Sequence, residues 1–435
     1  MTTDPNRARL ARPWAAATLL VLVVGAAAIW YLSSPRGTSQ ALRSAPADPN
    51  LVRRGEYLVR AGDCASCHSA RGQPGFAGGV GLATPFGTIY SSNITPDPQT
   101  GIGNWSADDL WRALHLGVGG QGEFLYPAFP YPNYTKVTRS DSDAIYAYLR
   151  SLPAAHVANR DNQLRFPYNQ RRLLWFWRLL YFSPASWHDA GEHSAQWNRG
   201  AYLVEGLGHC DACHANRNLL GATETSTGLS GGQIPIMNWY APSLLGNSEA
   251  GLKNWPRDDL KTLLSTGVSA RAAIFGPMAQ VVQESLQYLT PEDLDAITVF
   301  LQENSARLPD TQASEAGADG AQTGDSFRGK KLYEDHCQQC HQANGEGVPG
   351  VYPPLAHNRA LVMTSAVNPI RVVLLGGFTP VTGSNQRPYG MPPFAQALSE
   401  AEIADVVSYI RNAWGNHASI VNSADVDRYR DAPLD

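Results

Sequence analysis

Six cysteines in 435 residues leave none to spare, because all six lie in three copies of one motif. The copies are Cys64-Ala65-Ser66-Cys67-His68, Cys210-Asp211-Ala212-Cys213-His214 and Cys337-Gln338-Gln339-Cys340-His341. No thiol remains for a structural disulfide or a further metal site. Excess positive charge is also missing: a net charge of -4 and a pI near 6.3 give no sign of a nucleic-acid partner. Dinucleotide fingerprint, nucleophile elbow and residual metal-ligand cluster are all absent, so chemistry beyond that of the motifs would sit on another chain. Methionine is scarce, five in all, which makes each one informative.

What is present is chemistry for haem. Two thiols one helical turn apart can bond the two vinyl groups of one porphyrin, while the adjacent histidine ligates its iron. A bare Cys-x-x-Cys also serves thioredoxin-type redox pairs and half of a zinc site. Threefold recurrence, with histidine always next, favours three covalently bound haem c groups. Cys64, Cys67, Cys210, Cys213, Cys337 and Cys340 would attach them, and His68, His214 and His341 would ligate the irons.

Covalent haem attachment belongs outside the cytoplasm and requires export. Arg7, Arg9 and Arg12 precede an apolar run from Trp14 to Leu32, with Trp14 and Trp30-Tyr31 at its two ends. Nineteen residues come close to the ~20 that span a bilayer, and aromatic ends suit its interfaces. The basic flank predicts a cytoplasmic N-terminus. Ala26-Ala27-Ala28 offers a competing cleavage site, but a retained transmembrane helix is the expectation.

The expected organisation is mainly α, with three tandem cytochrome c-like domains behind that helix. Residues 1–33 form the anchor or signal, 34–50 a tether and 51–158 the first domain. An aromatic and basic connector follows at 159–197, then the second domain at 198–308, a flexible linker at 309–326, the third domain at 327–415 and a tail at 416–435. The first two domains repeat each other: Arg199-Gly200-Ala201-Tyr202 echoes Arg54-Gly55-Glu56-Tyr57, and Asn254-Trp255 echoes Asn104-Trp105. Closing helices place Ile145, Tyr148 and Leu149 in register with Ile297, Phe300 and Leu301, and with Val406, Tyr409 and Ile410. Ser140 and Asp143 are the expected capping pair of the first closing helix. In the connector, the stretch 167–182 reads either as a packed helix or as a contact surface for a partner or the membrane.

A haem that transfers electrons takes a second axial ligand, commonly methionine. Met278 and Met391 lie in Gly/Pro loops after the second and third motifs and are the expected ligands, with Met363 a weaker candidate. No methionine lies between His68 and His214. Phe129, twelve residues past Gly117, stands where Met278 stands eleven past Gly267. A phenyl ring cannot ligate iron, which leaves His115, His156, another group or an open position at the first haem.

Together with the tripled motif, several stretches carry a resemblance. They are Asn93-Ile94-Thr95-Pro96-Asp97, Gly101-Ile102-Gly103-Asn104-Trp105, Tyr126-Pro127-Ala128, Phe166-Pro167-Tyr168-Asn169, Ala241-Pro242-Ser243-Leu244 and Tyr389-Gly390-Met391-Pro392-Pro393-Phe394. From about Leu51 to Gly415 the chain resembles the triple-haem cytochrome c subunit of bacterial membrane-bound alcohol and aldehyde dehydrogenases. The resemblance implies a separate catalytic subunit, quinoprotein, flavoprotein or molybdenum and iron–sulfur enzyme, that oxidises its substrate outside the cytoplasm. It implies a cytochrome that is no enzyme itself but relays electrons to ubiquinone in the inner membrane, its haem domains on the periplasmic side. Two departures stand out: the retained helix, and the loop Tyr126-Pro127-Ala128-Phe129-Pro130, which carries methionine in many relatives. The second resembles cytochromes that accompany molybdenum and iron–sulfur aldehyde dehydrogenases, which favours that partner. A carrier feeding a terminal oxidase, and a haem peroxidase with an open iron, are the competing readings.

Overall fold

The computed structural model describes residues 48–430 other than 225–227, 236, 247–248 and 307–323. The expected anchor Trp14–Leu32 and most of the expected linker lie outside the described residues. Helices dominate what is described. Around the first motif they are α1 (Pro49–Ala61), α2 (Cys64–His68), α3 (Ala107–Leu116) and α4 (Arg139–Ser151), followed by the connector helix α5 (Leu174–Tyr181). Around the second lie α6 (Ala195–Ala201), α7 (Asp211–His214), α8 (Arg257–Thr266), α9 (Pro277–Glu284) and α10 (Pro291–Ala306). Around the third lie α11 (Gly324–His336), α12 (Gln338–His341), α13 (Val367–Leu375), α14 (Glu400–Asn412) and α15 (Ser423–Arg430). Strands are short: β1 (Gly81–Thr84), β2 (Gly87–Tyr90) and β3 (Gln163–Leu164) form one antiparallel sheet, and β4 (Gly232–Ile234) pairs with β5 (Trp239–Ala241). A last pair, β6 (Gly377–Phe378) and β7 (Gly390–Met391), sets Gly377 opposite Met391.

The helix before each motif crosses the closing helix of the same segment at a glycine. A Cβ on Gly55 would lie 1.9 Å from the Ala144 carbonyl oxygen, one on Gly200 2.0 Å from that of Ala296, and one on Gly329 2.3 Å from that of Asp405. Tyr148, Phe300 and Tyr409 face these glycines, so the three closing helices share the register their periodicity predicts. Capping boxes start α3 at Ser106 with Asp109 and α14 at Ser399 with Glu402. At α4 the expected pair is corrected: Thr138 is the N-cap and accepts from the Asp141 amide. Its extended backbone points the hydroxyl at the first turn, while Ser140 and Asp143 already lie inside the helix.

The first two segments share one apolar cluster, running from Leu58 and Val59 through Leu110, Ile145 and Leu203 to Phe300 and Leu301. A reciprocal polar exchange locks them together. Asp141 accepts from Arg54 of its own segment and from Tyr202 of the other, at 2.6 Å for the tyrosine. Asp293 accepts from Arg199 at 2.7–2.8 Å and from Tyr57 across the interface at 2.5 Å. The third segment has its own cluster around Tyr333, Ile370, Ile403 and Val407, and Lys331 takes the place of the tyrosine. It meets the second through Asn368, whose side chain exchanges hydrogen bonds with both backbone groups of Tyr240 at 2.7 and 2.9 Å.

The expected tail is also corrected. Residues 416–430 pack back onto the third segment, with Val421, Val426 and Tyr429 buried in its cluster. The guanidinium of Arg411, fully buried, donates to the carbonyls of Leu361, Met363 and Ser419 at 2.8–3.1 Å and pins the returning chain. In the connector, a 3₁₀ turn at Arg171–Leu173 leads into α5. Arg171 donates to the Phe124 carbonyl, Arg178 to that of Leu116 and Trp177 to that of Leu220, so this segment ties the first half to the second. Its outer face presents Leu173, Phe176, Leu179 and Leu180 to solvent.

Candidate haem sites

Each motif forms a short helical turn in α2, α7 or α12, entered from the longer helix before it. One turn separates the two cysteines of each pair and aims the histidine along the same face. What fixes each histidine is a backbone carbonyl from a distant loop. Nδ1 of His68 lies 2.7 Å from the Ser92 oxygen, Nδ1 of His214 2.8 Å from that of Pro242 and Nδ1 of His341 3.0 Å from that of Pro353. A carbonyl can only accept, so the proton sits on Nδ1 and the lone pair on Nε2 is free for iron. Desolvation lowers the pKa of all three imidazoles against the opposing pull of these carbonyls, favouring the neutral form a metal needs.

The competing chemistries fit less well. A thioredoxin-type pair works through a depressed thiol pKa, whereas desolvation pushes Cys64 and Cys210 up to about 12 and Cys67 and Cys337 up to about 11. No disulfide joins any of the six cysteines, and among the described residues no further cluster of His, Cys, Asp or Glu gathers to complete a zinc site. Cysteine pairs one turn apart, each beside a histidine with a fixed tautomer, fit covalent haem.

The three carbonyls escape sequence reading because their separations from the histidines differ, the partners standing 24, 28 and 12 positions apart. A weak signal existed: each carbonyl stands two residues before an aliphatic side chain, Ile94, Leu244 or Leu355.

Met278 sits in the first turn of α9 behind Gly276, whose φ of 60° turns the chain tightly against the Trp239 indole. Met391 lies in β7. Both are half-buried against apolar clusters, Met278 on the shared core and Met391 on that of the third segment. Met363 is buried as core packing beyond a short helix at Arg359–Val362. His115 stacks on Trp111 with ring centroids 4.4 Å apart, and His156 lies mostly exposed 3.4 Å from Asp97. Phe129 packs on the shared core 5.3 Å from the Tyr134 ring, and the Tyr134 hydroxyl donates to the Gly62 carbonyl just before the first motif at 3.0 Å.

The segments bring the first two motifs together and set the methionine loop of the second against that of the third. Leu207, ahead of the second motif, lies 3.2 Å from where a Cβ of Gly62 would stand, and His209 meets Tyr134 edge-on at 5.4 Å. Phe275, three residues before Met278, lies 3.3 Å from where a Cβ of Gly377, the partner of Met391, would stand.

A helical chain with cysteine pairs and tautomer-fixed histidines of this kind is a c-type cytochrome, and the cytochrome c family profile matches residues 52–153 and 326–414. Over most of its length the chain is similar to subunits of oxidising complexes. It is 39% identical over 408 residues (90% of this chain, 92% of the relative) to the gluconate 2-dehydrogenase cytochrome c subunit of Pantoea cypripedii. It is 37% identical over 422 residues (93% and 87%) to the alcohol dehydrogenase (quinone) cytochrome c subunit of Gluconobacter oxydans. To the fructose dehydrogenase cytochrome subunit of Gluconobacter japonicus it is 32% identical over 425 residues (89% and 86%). The chain belongs to the family of cytochrome c subunits of dehydrogenase complexes. It is an electron-transfer subunit carrying covalent haem c, and substrate chemistry belongs to its catalytic dehydrogenase partner.

Proposed function

We propose that the chain is a three-haem relay that takes electrons from the catalytic subunit of a periplasmic dehydrogenase and passes them to ubiquinone at the bacterial inner membrane. The observation that carries this reading is the same site built three times, a Cys-x-x-Cys-His turn whose histidine is held through Nδ1 by a backbone carbonyl. The six cysteines would attach the haems, His68, His214 and His341 would each hold one iron, and Met278 and Met391 would supply thioether ligands to the second and third. Bound haem supplies one-electron chemistry. The protein holds its tautomers, desolvates the motifs, sets the first and second motifs side by side and packs the loop of Met278 against that of Met391, which suits a linear relay. The domains are 51–158, 198–308 and 327–430, the last extended by the returning helix α15.

Relatives named for gluconate, an alcohol and fructose match this chain about equally well, so substrate lies outside what they share. The loop at Phe129, which lacks methionine, favours a molybdenum and iron–sulfur aldehyde dehydrogenase as the partner. Membrane attachment rests first on Trp14–Leu32 as a retained helix, since no helix of the described residues is long and apolar enough to cross a bilayer. The outer face of α5 supports a second contact with the lipid surface. Between residues 162 and 188 there are four arginines and no carboxylate, beside the exposed Leu173, Phe176, Leu179 and Leu180.

The test is purification of the native complex, mass spectrometry of this chain and analysis of the subunit that accompanies it. Three covalent haems, a dehydrogenase partner and reduction of a soluble ubiquinone analogue by the ferrous complex are expected. Reduction of a terminal oxidase without reduction of quinone would replace the relay with the carrier reading, and peroxide turnover with a reduced donor would replace it with a peroxidase.

A further inference from the structure

The turns after α3 and α8 share one pattern of backbone bridges and hydrogen bonds. Gly117 ends α3 with φ 60° and Gly267 ends α8 with φ 77°. Val118 then bridges Phe124, as Val268 bridges Ala273. The Leu125 amide returns to the Gly117 carbonyl at 2.9 Å, and the Ile274 amide to the Gly267 carbonyl at 2.8 Å. The one extra residue of the first repeat is therefore absorbed inside the turn, before Leu125. Four residues past each returning amide stand Phe129 and Met278, both half-buried on the same apolar cluster. The structure makes equivalent two side chains that the bare count left one residue out of step.

Phe129 belongs to the first motif through Tyr134, which it touches and whose hydroxyl is bound to the Gly62 carbonyl. Two of the nitrogen candidates lie elsewhere. His156 pairs with Asp97 in the loop that also carries Ser92, the anchor of His68, so it stands with the histidine side of the site and mostly in solvent. His115 is stacked on Trp111 along α3. The third, His209, lies edge-on against the same Tyr134 at 5.4 Å, with its ring held by the Gly62 carbonyl.

We propose that the first haem iron receives no ligand from this chain opposite His68, and that it alone of the three binds a small exogenous ligand. The class is a neutral diatomic π-acceptor, such as carbon monoxide or nitric oxide, on ferrous iron. The inference rests on the three-haem reading. Without thioether, this iron also has the lowest potential of the three.

The haem count and the ligand test are made on one sample of the full chain. Mass spectrometry first reads the covalent haems, and a count of two overturns the three-haem reading and this inference with it. With three haems present, carbon monoxide added to the dithionite-reduced protein should shift the Soret band of one haem in three. Phe129→Met should abolish that shift and add one methionine-to-ferric-iron charge-transfer band in the near infrared, while Phe129→Leu should keep the shift. Three haems with no carbon monoxide uptake overturn the proposal. So does uptake that appears only after His115→Ala, His156→Ala or His209→Ala, because that identifies a nitrogen ligand. Unchanged uptake in a folded Phe129→Met protein also overturns it, since the open position then lies elsewhere.

Discussion

Thioether sulfur on a haem iron favours the ferrous state, so Met391→Ala should lower the potential of one haem or open it to carbon monoxide. Spectroelectrochemical titration reads the shift, and Met278→Ala should act on a different haem. The glycines at the helix crossings are equally sensitive for a steric reason. A Cβ on Gly200 would overlap the Ala296 carbonyl oxygen at 2.0 Å and press on Phe300, so Gly200→Ala must push α6 and α10 apart. A loss of about 2 kcal/mol is expected from such overpacking, read as a lower urea midpoint. Both effects were half legible. Methionine scarcity and the shared aromatic register pointed to these positions, but the carbonyl that a glycine must avoid is a tertiary neighbour.

At the scale of elements, the carboxylates of α4 and α10 join two segments rather than one. Burial would raise the Asp293 carboxyl, but hydrogen bonds from Arg199 and Tyr57, with the guanidinium charge, outweigh it and hold it below the usual carboxylate range. Burial and Asp293 push the Tyr57 hydroxyl up to about 12, so it remains a donor at neutral pH. A depressed folded pKa contributes stability above the unfolded value and loses it as pH falls through the folded one. Asp293→Asn should therefore lower the urea midpoint at pH 7, and its difference from wild type should shrink as pH drops below about 4. The signal for this interface was in the repeats: Tyr57 and Tyr202 recur three residues past the arginine, and Lys331 breaks the pattern where the third segment has its own core. Without knowing that the two segments pack together, the tyrosines read only as echoes.

For the whole molecule, a retained Trp14–Leu32 predicts that N-terminal sequencing of membrane-extracted protein finds residues before Trp14, and that deleting the segment weakens membrane attachment. A mature N-terminus near Ile29 would make it a cleaved signal. Replacing Phe176 and Leu180 by Glu in that deletion variant should remove the remaining binding to anionic vesicles, as read by co-sedimentation, if α5 meets lipid. The sequence by itself determined the helical character, the haem chemistry and the register of the closing helices, because these depend on local spacing: one turn between cysteines and helical periodicity along one face. Only the tertiary structure decided the carbonyl partners of the histidines, the shared core of the first two segments and the packing of α15. Each joins residues across loops of unequal length, or, as with Val426 and Tyr429, buries too few side chains to leave a periodic trace. The equivalence of Phe129 and Met278 needed both, since the repeats suggested it and the hydrogen bonds at Leu125 and Ile274 absorbed the extra residue that kept the two out of step.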